Sequence, residues 1–444
     1  MSKALPVPVA PGRLPMVGHM GELAREPIAF LDSLSTLGRV VRVDLGGIHA
    51  YVLTDADAAH QVLVEQYRKF EKGRGQEELR VVGAGNGMLV ADNQSNRKQR
   101  RLIQPLFHKD RIARDFAPRL VEEIYRVTGS WISGQRLEFD QEAMRIVRGM
   151  FMRTILNEPA GSGLADDVWD AFDYDKSSAF MRLIAPESAI DRNRIAYFRK
   201  YLHSIVERIV KQRDLEKHED TRNDCLTLLL NETDPDTGEP LDRDLVRDEV
   251  VGLLFAGTDS TGRSLAWAFH GVGQHPDVER KLHEEVDVVL EGRPVQFDDL
   301  PNLPYVAAVV EESLRLYGLL INTRKAVETV TIADVEMPAG TEVLFSHSAL
   351  HRDPRVFAEP NRFNPDRWIV EKFEQSLHRN VMPYSKGPRT CLGAEFASVE
   401  LRLSVASIAQ RWSLQPINGQ FVRPVPDTFL RPNMLPMTAV PRSK

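Results

Sequence analysis

Cysteine is almost missing from this sequence. Only Cys225 and Cys391 occur among 444 residues. That excludes a disulfide framework and the set of thiolates that a ferredoxin-type cluster needs, and it suits a reducing compartment. A long apolar run is missing from the start of the chain too: nothing in Met1 to Arg13 approaches the ~20 residues that span a bilayer. The stretch Met1 to Arg13 has scattered prolines and no charged-then-apolar secretion signal. The expectation is a cytoplasmic protein with no membrane anchor. Positive charge is not in excess, with a net charge of −6 and a pI near 6.1, which argues against nucleic-acid binding. No Gly-x-Gly-x-x-Gly or P-loop pattern appears, so no nucleotide site is built in. Internal repeats and low-complexity segments are likewise lacking.

What is present is ordinary for a globular chain, with 42% hydrophobic and 27% charged residues. A helix is expected over Pro27 to Leu37. Two β-rich runs, Val40 to Leu45 and Ile48 to Leu53, flank Gly46-Gly47 and read as a hairpin. Glu71 to Asn86 lacks clear periodicity and reads as a loop with at most a short helix. Helical spacing returns over Phe116 to Trp131, Leu137 to Leu156 and Arg194 to Arg213. The segment Ser177 to Ile184 is less regular. Cys225 lies in an apolar helical stretch and reads as core packing. Asn231 to Asp244, rich in Asp, Pro and Gly, reads as a surface loop. A long helix follows from about Asp244 to His270, apolar on nearly every face and therefore buried.

One stretch stands out, Met382-Pro383-Tyr384-Ser385-Lys386-Gly387-Pro388-Arg389-Thr390-Cys391-Leu392-Gly393. Gly387 and Gly393 allow sharp turning and close backbone approach to the sulfur. The residues after it, Ala394 to Leu403, have helical spacing. Cys391 therefore sits where the unpaired N–H groups of a helix start favour negative charge. A metal ligand or a redox thiol fits this setting better than a small core hydrophobe.

The stretch resembles the haem-binding loop of the cytochrome P-450 family, Phe-x-x-Gly-x-Arg-x-Cys-x-Gly, with Tyr384 in place of the phenylalanine. By that resemblance Cys391 is the axial thiolate of a haem b iron and Arg389 pairs with a haem propionate. Tyr384 and Gly393 would flank the cofactor. Three further stretches extend the resemblance over nearly the whole chain. Ala256-Gly257-Thr258-Asp259-Ser260-Thr261 resembles the family's distal helix motif. Alone, this stretch also reads as a kinked core helix with a satisfied polar cluster. The resemblance places Ala256 and Gly257 at the haem and makes Asp259, Ser260 and Thr261 the candidate proton-delivery residues, with Asp259 and Ser260 as the acid–alcohol pair. Glu312 and Arg315, followed by Asn364-Pro365-Asp366-Arg367-Trp368, resemble the family's buried Glu-Arg-Arg network. Arg100 and Arg324 match propionate-binding arginines, while Asn96 stands where an aromatic donor is usual. Gly318-Leu319 replaces the family's Pro-Pro.

The fold that the resemblance implies is mainly α with a smaller β-rich region. The haem lies between the long central helix and the helix after the cysteine loop. The whole chain, 1–444, would then be a single domain, with residues 1–20 an extended lead-in. The activity implied is that of a haem-thiolate monooxygenase using O2 on an apolar small molecule, terpenoid, polyketide or fatty-acid-like. The chain is too short for a fused reductase, so electrons would come from a separate ferredoxin or flavodoxin-type donor. Arg97, Lys98, Arg101 and Lys386 would form the basic face on which an acidic donor docks. A haem-based sensor or carrier without turnover and a peroxide-driven haem-thiolate enzyme are the other activities compatible with these motifs.

Overall fold

The computed structural model describes residues 7–158, 163, 167–170, 191–215, 224–234, 236–369 and 380–442. The Ser177 to Ile184 segment lies outside them. Helices form most of the structure and strands a smaller part. The axis is the central helix, Arg243–Gln274, which opens with the Asp242 side chain accepting from the N–H of Asp244. Among the described residues, Phe139–Ile155, Arg192–Leu215, Pro304–Tyr317 and Ala394–Arg411 pack most extensively on it. Two glycines let Phe139–Ile155 come close. A Cβ on Gly257 would stand 2.5 Å from the Phe151 ring, and one on Gly262 would stand 2.3 Å from the Met144 sulfur.

The larger sheet has five strands in the order Val40–Leu45, Ile48–Leu53, Glu342–Ser346, Ile321–Ala326, Phe70–Lys72. Its first pair is the expected hairpin, turning through Gly46 at φ 54° and Gly47 at φ 96°. Those left-handed angles match the twist of the flanking strands. At the other edge, Phe70–Lys72 runs antiparallel to Ile321–Ala326 and sets Lys72 opposite Arg324. Before the sheet, the extended lead-in bridges Val9 to Arg42 and Gly18 to Leu45.

The stretch Glu71 to Asn86 holds the short helix expected of it and departs from expectation at both ends. It finishes an edge strand at Lys72, forms the helix Arg74–Leu79 and continues as a wide helical turn over Arg80–Ala84. Its weak periodicity hid this, because the turn is held by contact with Arg192–Leu215 and the central helix rather than by its own apolar stripe. Cys225 is fully buried as expected, and burial raises its thiol pKa. Among the described residues, no helix is long and apolar enough to cross a membrane.

Glu312 organises the packing below the central helix. It accepts from Arg315 Nε and Nη2, both at 2.8 Å, from Arg367 Nε at 3.0 Å and from Trp368 Nε1 at 2.9 Å. Arg315 spends Nη1 on the carbonyls of His351 and Pro360. Glu312 and Arg315 are both buried, so this is the network that the two sequence stretches imply.

Candidate haem-binding site

Cys391 lies between two structured pieces, a tight turn before it and the helix Ala394–Arg411 after it, here called the proximal helix. The turn passes through Ser385 at φ 62° and Gly387 at φ 75°. A Cβ on Gly387 would stand 2.2 Å from the Leu63 carbonyl oxygen, so only glycine fits there. Gly393 differs from expectation: its φ of −85° needs no glycine. An added Cβ would meet only the Phe107 ring, at 4.0 Å, so this glycine leaves space beside the loop. The Cys391 N–H donates to the Tyr384 carbonyl at 2.9 Å. The cysteine is open along an inner surface although protein surrounds it on most sides. That surrounding raises its thiol pKa, while the Gly393 N–H and the Arg100 charge pull it back down. Arg100 reaches the same loop, donating from Nη1 to the Thr390 carbonyl at 2.7 Å. The Tyr384 hydroxyl is buried without a hydrogen-bond partner among the described residues.

Around the loop the cations are crowded. Arg389 donates from Nη2 to the Phe70 carbonyl and the Asn93 side chain, both at 2.9 Å, and stands 4.0 Å from Asp92. Its Nη1 is buried with no partner among the described residues. Arg324 is buried in its strand, and burial followed by the Arg389 charge lowers its pKa to about 10. Lys72, opposite it, is lowered to about 7 by burial and then by Arg324 and Arg389. Like charges directly across a strand pair destabilise it. Three cations, Arg324 buried and Lys72 and Arg389 half-buried, thus gather around Asp92. An orphaned guanidinium nitrogen and surplus positive charge fit a ligand carrying two carboxylates, and a lone open thiol beside them fits a soft metal. These residues therefore suit a haem.

On the central helix, Ala256 is exposed although most of its neighbours are packed. Ser260, one turn later, donates from its hydroxyl to the Ala256 carbonyl at 2.9 Å. Thr258 and Ser264 make the same back-bond, to Leu254 and Ser260. Three such bonds within three turns loosen the helix locally. Asp259 is ion-paired at 3.0 Å with Arg263, a residue the sequence did not single out. Phe255 and Leu392, the chain neighbours of Ala256 and Cys391, pack against the same apolar cluster. Two candidates face elsewhere. Gly257 is placed against Phe151, so its missing side chain serves helix packing. Thr261 is buried beside Glu400 of the proximal helix, whose carboxyl burial holds well above the ordinary range.

Asn96, lacking the usual aromatic ring, donates instead to the Met88 carbonyl at 2.9 Å. Lys98 does not contribute to an open basic face, because its ammonium sits 2.6 Å from both Asp234 and Asp236. Lys72 and Arg263 went unnoticed in the sequence for one reason. Each gains meaning from a neighbour, Arg324 across the sheet and Asp259 one helical turn away, and no local pattern marks either.

A family profile described as Cytochrome P450 matches residues 8–439. The chain is 34% identical to cyclooctat-9-en-7-ol 5-monooxygenase of Streptomyces melanosporofaciens, covering 98% of this chain and 95% of that protein. It is 31% identical to pentalenene oxygenase of Streptomyces avermitilis, over 94% and 93% of the two chains. The crystal structure of another cytochrome P450 superposes over 100% of both chains with a TM-score of 0.84 at 22% identity, which supports the fold. The chain belongs to the cytochrome P450 family and is a monooxygenase.

Proposed function

We propose that this protein is a cytoplasmic haem b monooxygenase that oxidises a cyclic terpenoid, with electrons from a separate acidic ferredoxin or flavodoxin-type protein. The observation that carries it is Cys391 on a turn ringed by Arg100, Arg324 and Arg389, with the open Ala256–Ser260 face on the central helix. Cys391 would hold the iron, and Arg389 and Arg324 would hold the cofactor's carboxylates. A thiolate-held haem supplies dioxygen binding and electron push toward O–O cleavage. The chain's own work is to exclude water, orient the substrate and bring protons. Ser260 stands on the open helix face to pass a proton, and Asp259 is the acid behind it. The terpenoid reading draws on the relatives named cyclooctat-9-en-7-ol 5-monooxygenase and pentalenene oxygenase. It agrees with part-buried apolar residues such as Phe255, Leu253 and Met88, which pack against the same cluster as Leu392, the neighbour of Cys391. A substrate without charge is recognised there by shape.

The test is spectral and then chemical. Haem-loaded protein should give the thiolate-type band of the reduced carbon monoxide complex, and Cys391→His should lose it while remaining folded. Cyclic sesquiterpene and diterpene hydrocarbons, screened for displacement of the iron's water, should include binders that yield hydroxylated product with NADH, a ferredoxin and its reductase. An imidazole-type band in the wild type would overturn the assignment of Cys391. Tight binding of fatty acids alone would overturn the terpenoid reading.

A further inference from the structure

Residues Asn86 to Leu89 form a short roof segment between the wide turn Arg80–Ala84 and the helix Asn93–Ile103. Side chains from three other places take up its backbone. The Asn86 N–H donates to Asp248 at 2.8 Å. The Met88 N–H donates to both oxygens of Glu249 at 3.0 Å. Gln99 and Asn96 donate to the carbonyls of Asn86 and Met88, each at 2.9 Å. Lys72 donates to the Met88 carbonyl at 2.7 Å and also to the Leu89 carbonyl. A Cβ on Gly85 or Gly87 would fall 2.0 Å from the Asp248 carboxylate or 2.8 Å from its carbonyl oxygen, so the segment lies directly on the central helix.

Lys72 is the one side chain here that belongs to both neighbourhoods. An ammonium has three donors. Two are spent on the roof, and the same ammonium feels the charges of Arg324 and Arg389, the cations assigned to the cofactor's carboxylates. We infer that Lys72 is a positioning residue: the haem carboxylates fix its ammonium, and the ammonium fixes the Met88–Leu89 roof segment. This inference rests on the haem-pocket reading above. Its electrostatics are consistent. Burial, then the Arg324 and Arg389 charges, weaken the hold of Lys72 on its proton, with Asp92 and Glu249 opposing. Glu249, across the Met88 peptide, is raised to about 7 by burial. Two cofactor carboxylates near Lys72 restore its charge and its grip on both carbonyls. Coupling between sites is reciprocal, so loosening the roof must also loosen the cofactor.

The experiment compares protein loaded with haem, protein loaded with the dimethyl ester of the same haem, and protein without either. The ester keeps the ring and the iron and removes both negative charges. Amide hydrogen exchange of the peptide covering residues 86–91 is the readout. Haem should slow that exchange at least about fivefold relative to the ester, the low end of ordinary coupling strengths. In Lys72→Met, haem and ester should give the same exchange, while Lys72→Arg should recover part of the difference. Glu249→Gln, which does not face the carboxylates, should weaken haem affinity by a similar factor, read as transfer to excess apomyoglobin. Equal exchange with haem and ester in the wild type would overturn the coupling, as would a haem-dependent slowing that persists in Lys72→Met. Failure of the wild type to bind haem at all would overturn the haem reading itself, and the two failures are distinguishable by the absorption spectrum.

Discussion

Ser260 and Thr261 adjoin in sequence and face different surroundings. Ser260 lies on the open side with its hydroxyl on the Ala256 carbonyl, whereas Thr261 is buried beside Glu400. If Ser260 passes the proton, Ser260→Ala should bind haem and substrate normally and still consume NADH. Product per NADH should fall and hydrogen peroxide rise, because positioned proton transfer contributes ~10²–10⁴-fold. Ser260→Thr should keep coupling or improve it, since a β-branch narrows the hydroxyl's orientations. Thr261→Ala should remain coupled and lose stability instead. A well-coupled Ser260→Ala alongside an uncoupled Thr261→Ala would move the role to Thr261. At this scale a motif that fixes spacing gave the placement: Cys391, Arg389 and Arg100 meet at one loop. The role of Gly257 was not legible, because a glycine that admits a cofactor and one that admits Phe151 look alike until the partner helix is in place. Lys72 was opaque for a similar reason: only antiparallel register sets it opposite Arg324.

Among elements, the helix Pro304–Tyr317 is tied to the downstream segment by one carboxylate. Glu312 serves Arg315, Arg367, Trp368 and the Asn364 N–H together. Removing a single member leaves the others as buried charge without its partner. Glu312→Gln should therefore destabilise the haem-loaded protein by about 3–5 kcal/mol, measured by urea unfolding with an unchanged m-value. Arg362→Ala should cost far less, because its side chain pairs with Glu359 in solvent. Equal losses in the two variants would show that the network contributes no more than a surface pair. The motif pieces for this network were visible in the sequence, since Glu312 and Arg315 share a helix face. Trp368 closes the matched stretch, but that its indole N–H also donates to Glu312 is set only by the fold. In the Glu71 to Asn86 segment the short helix was legible, and the wide turn that continues it was missed for the opposite reason. Its order comes from packing against two other helices, and propensity summed along the segment does not contain that information.

For the whole molecule, the remaining question is how an electron donor meets a protein of net charge −6. The overall sign would repel the acidic donor proposed above, so its docking would depend on a local face. Arg97 and Arg101 stay exposed on the helix Asn93–Ile103 that also carries Arg100 to the cysteine loop. Lys98 on that helix is neutralised by Asp234 and Asp236, so the sequence-based face of four cations loses one of them. Docking on this face should weaken as salt rises, because charges are screened beyond about 10 Å at 0.1 M. Arg97→Glu and Arg101→Glu should each slow reduction by an acidic ferredoxin at low salt, with the difference shrinking as salt is added. Lys98→Ala separates this surface from simple charge counting: it removes the same single charge as an alanine at Arg97. Stopped-flow reduction should then find Lys98→Ala close to wild type and Arg97→Ala clearly slower. Rates that ignore ionic strength would remove the electrostatic docking surface. Equal slowing by Lys98→Ala and Arg97→Ala would mean that the donor reads net charge rather than this helix face.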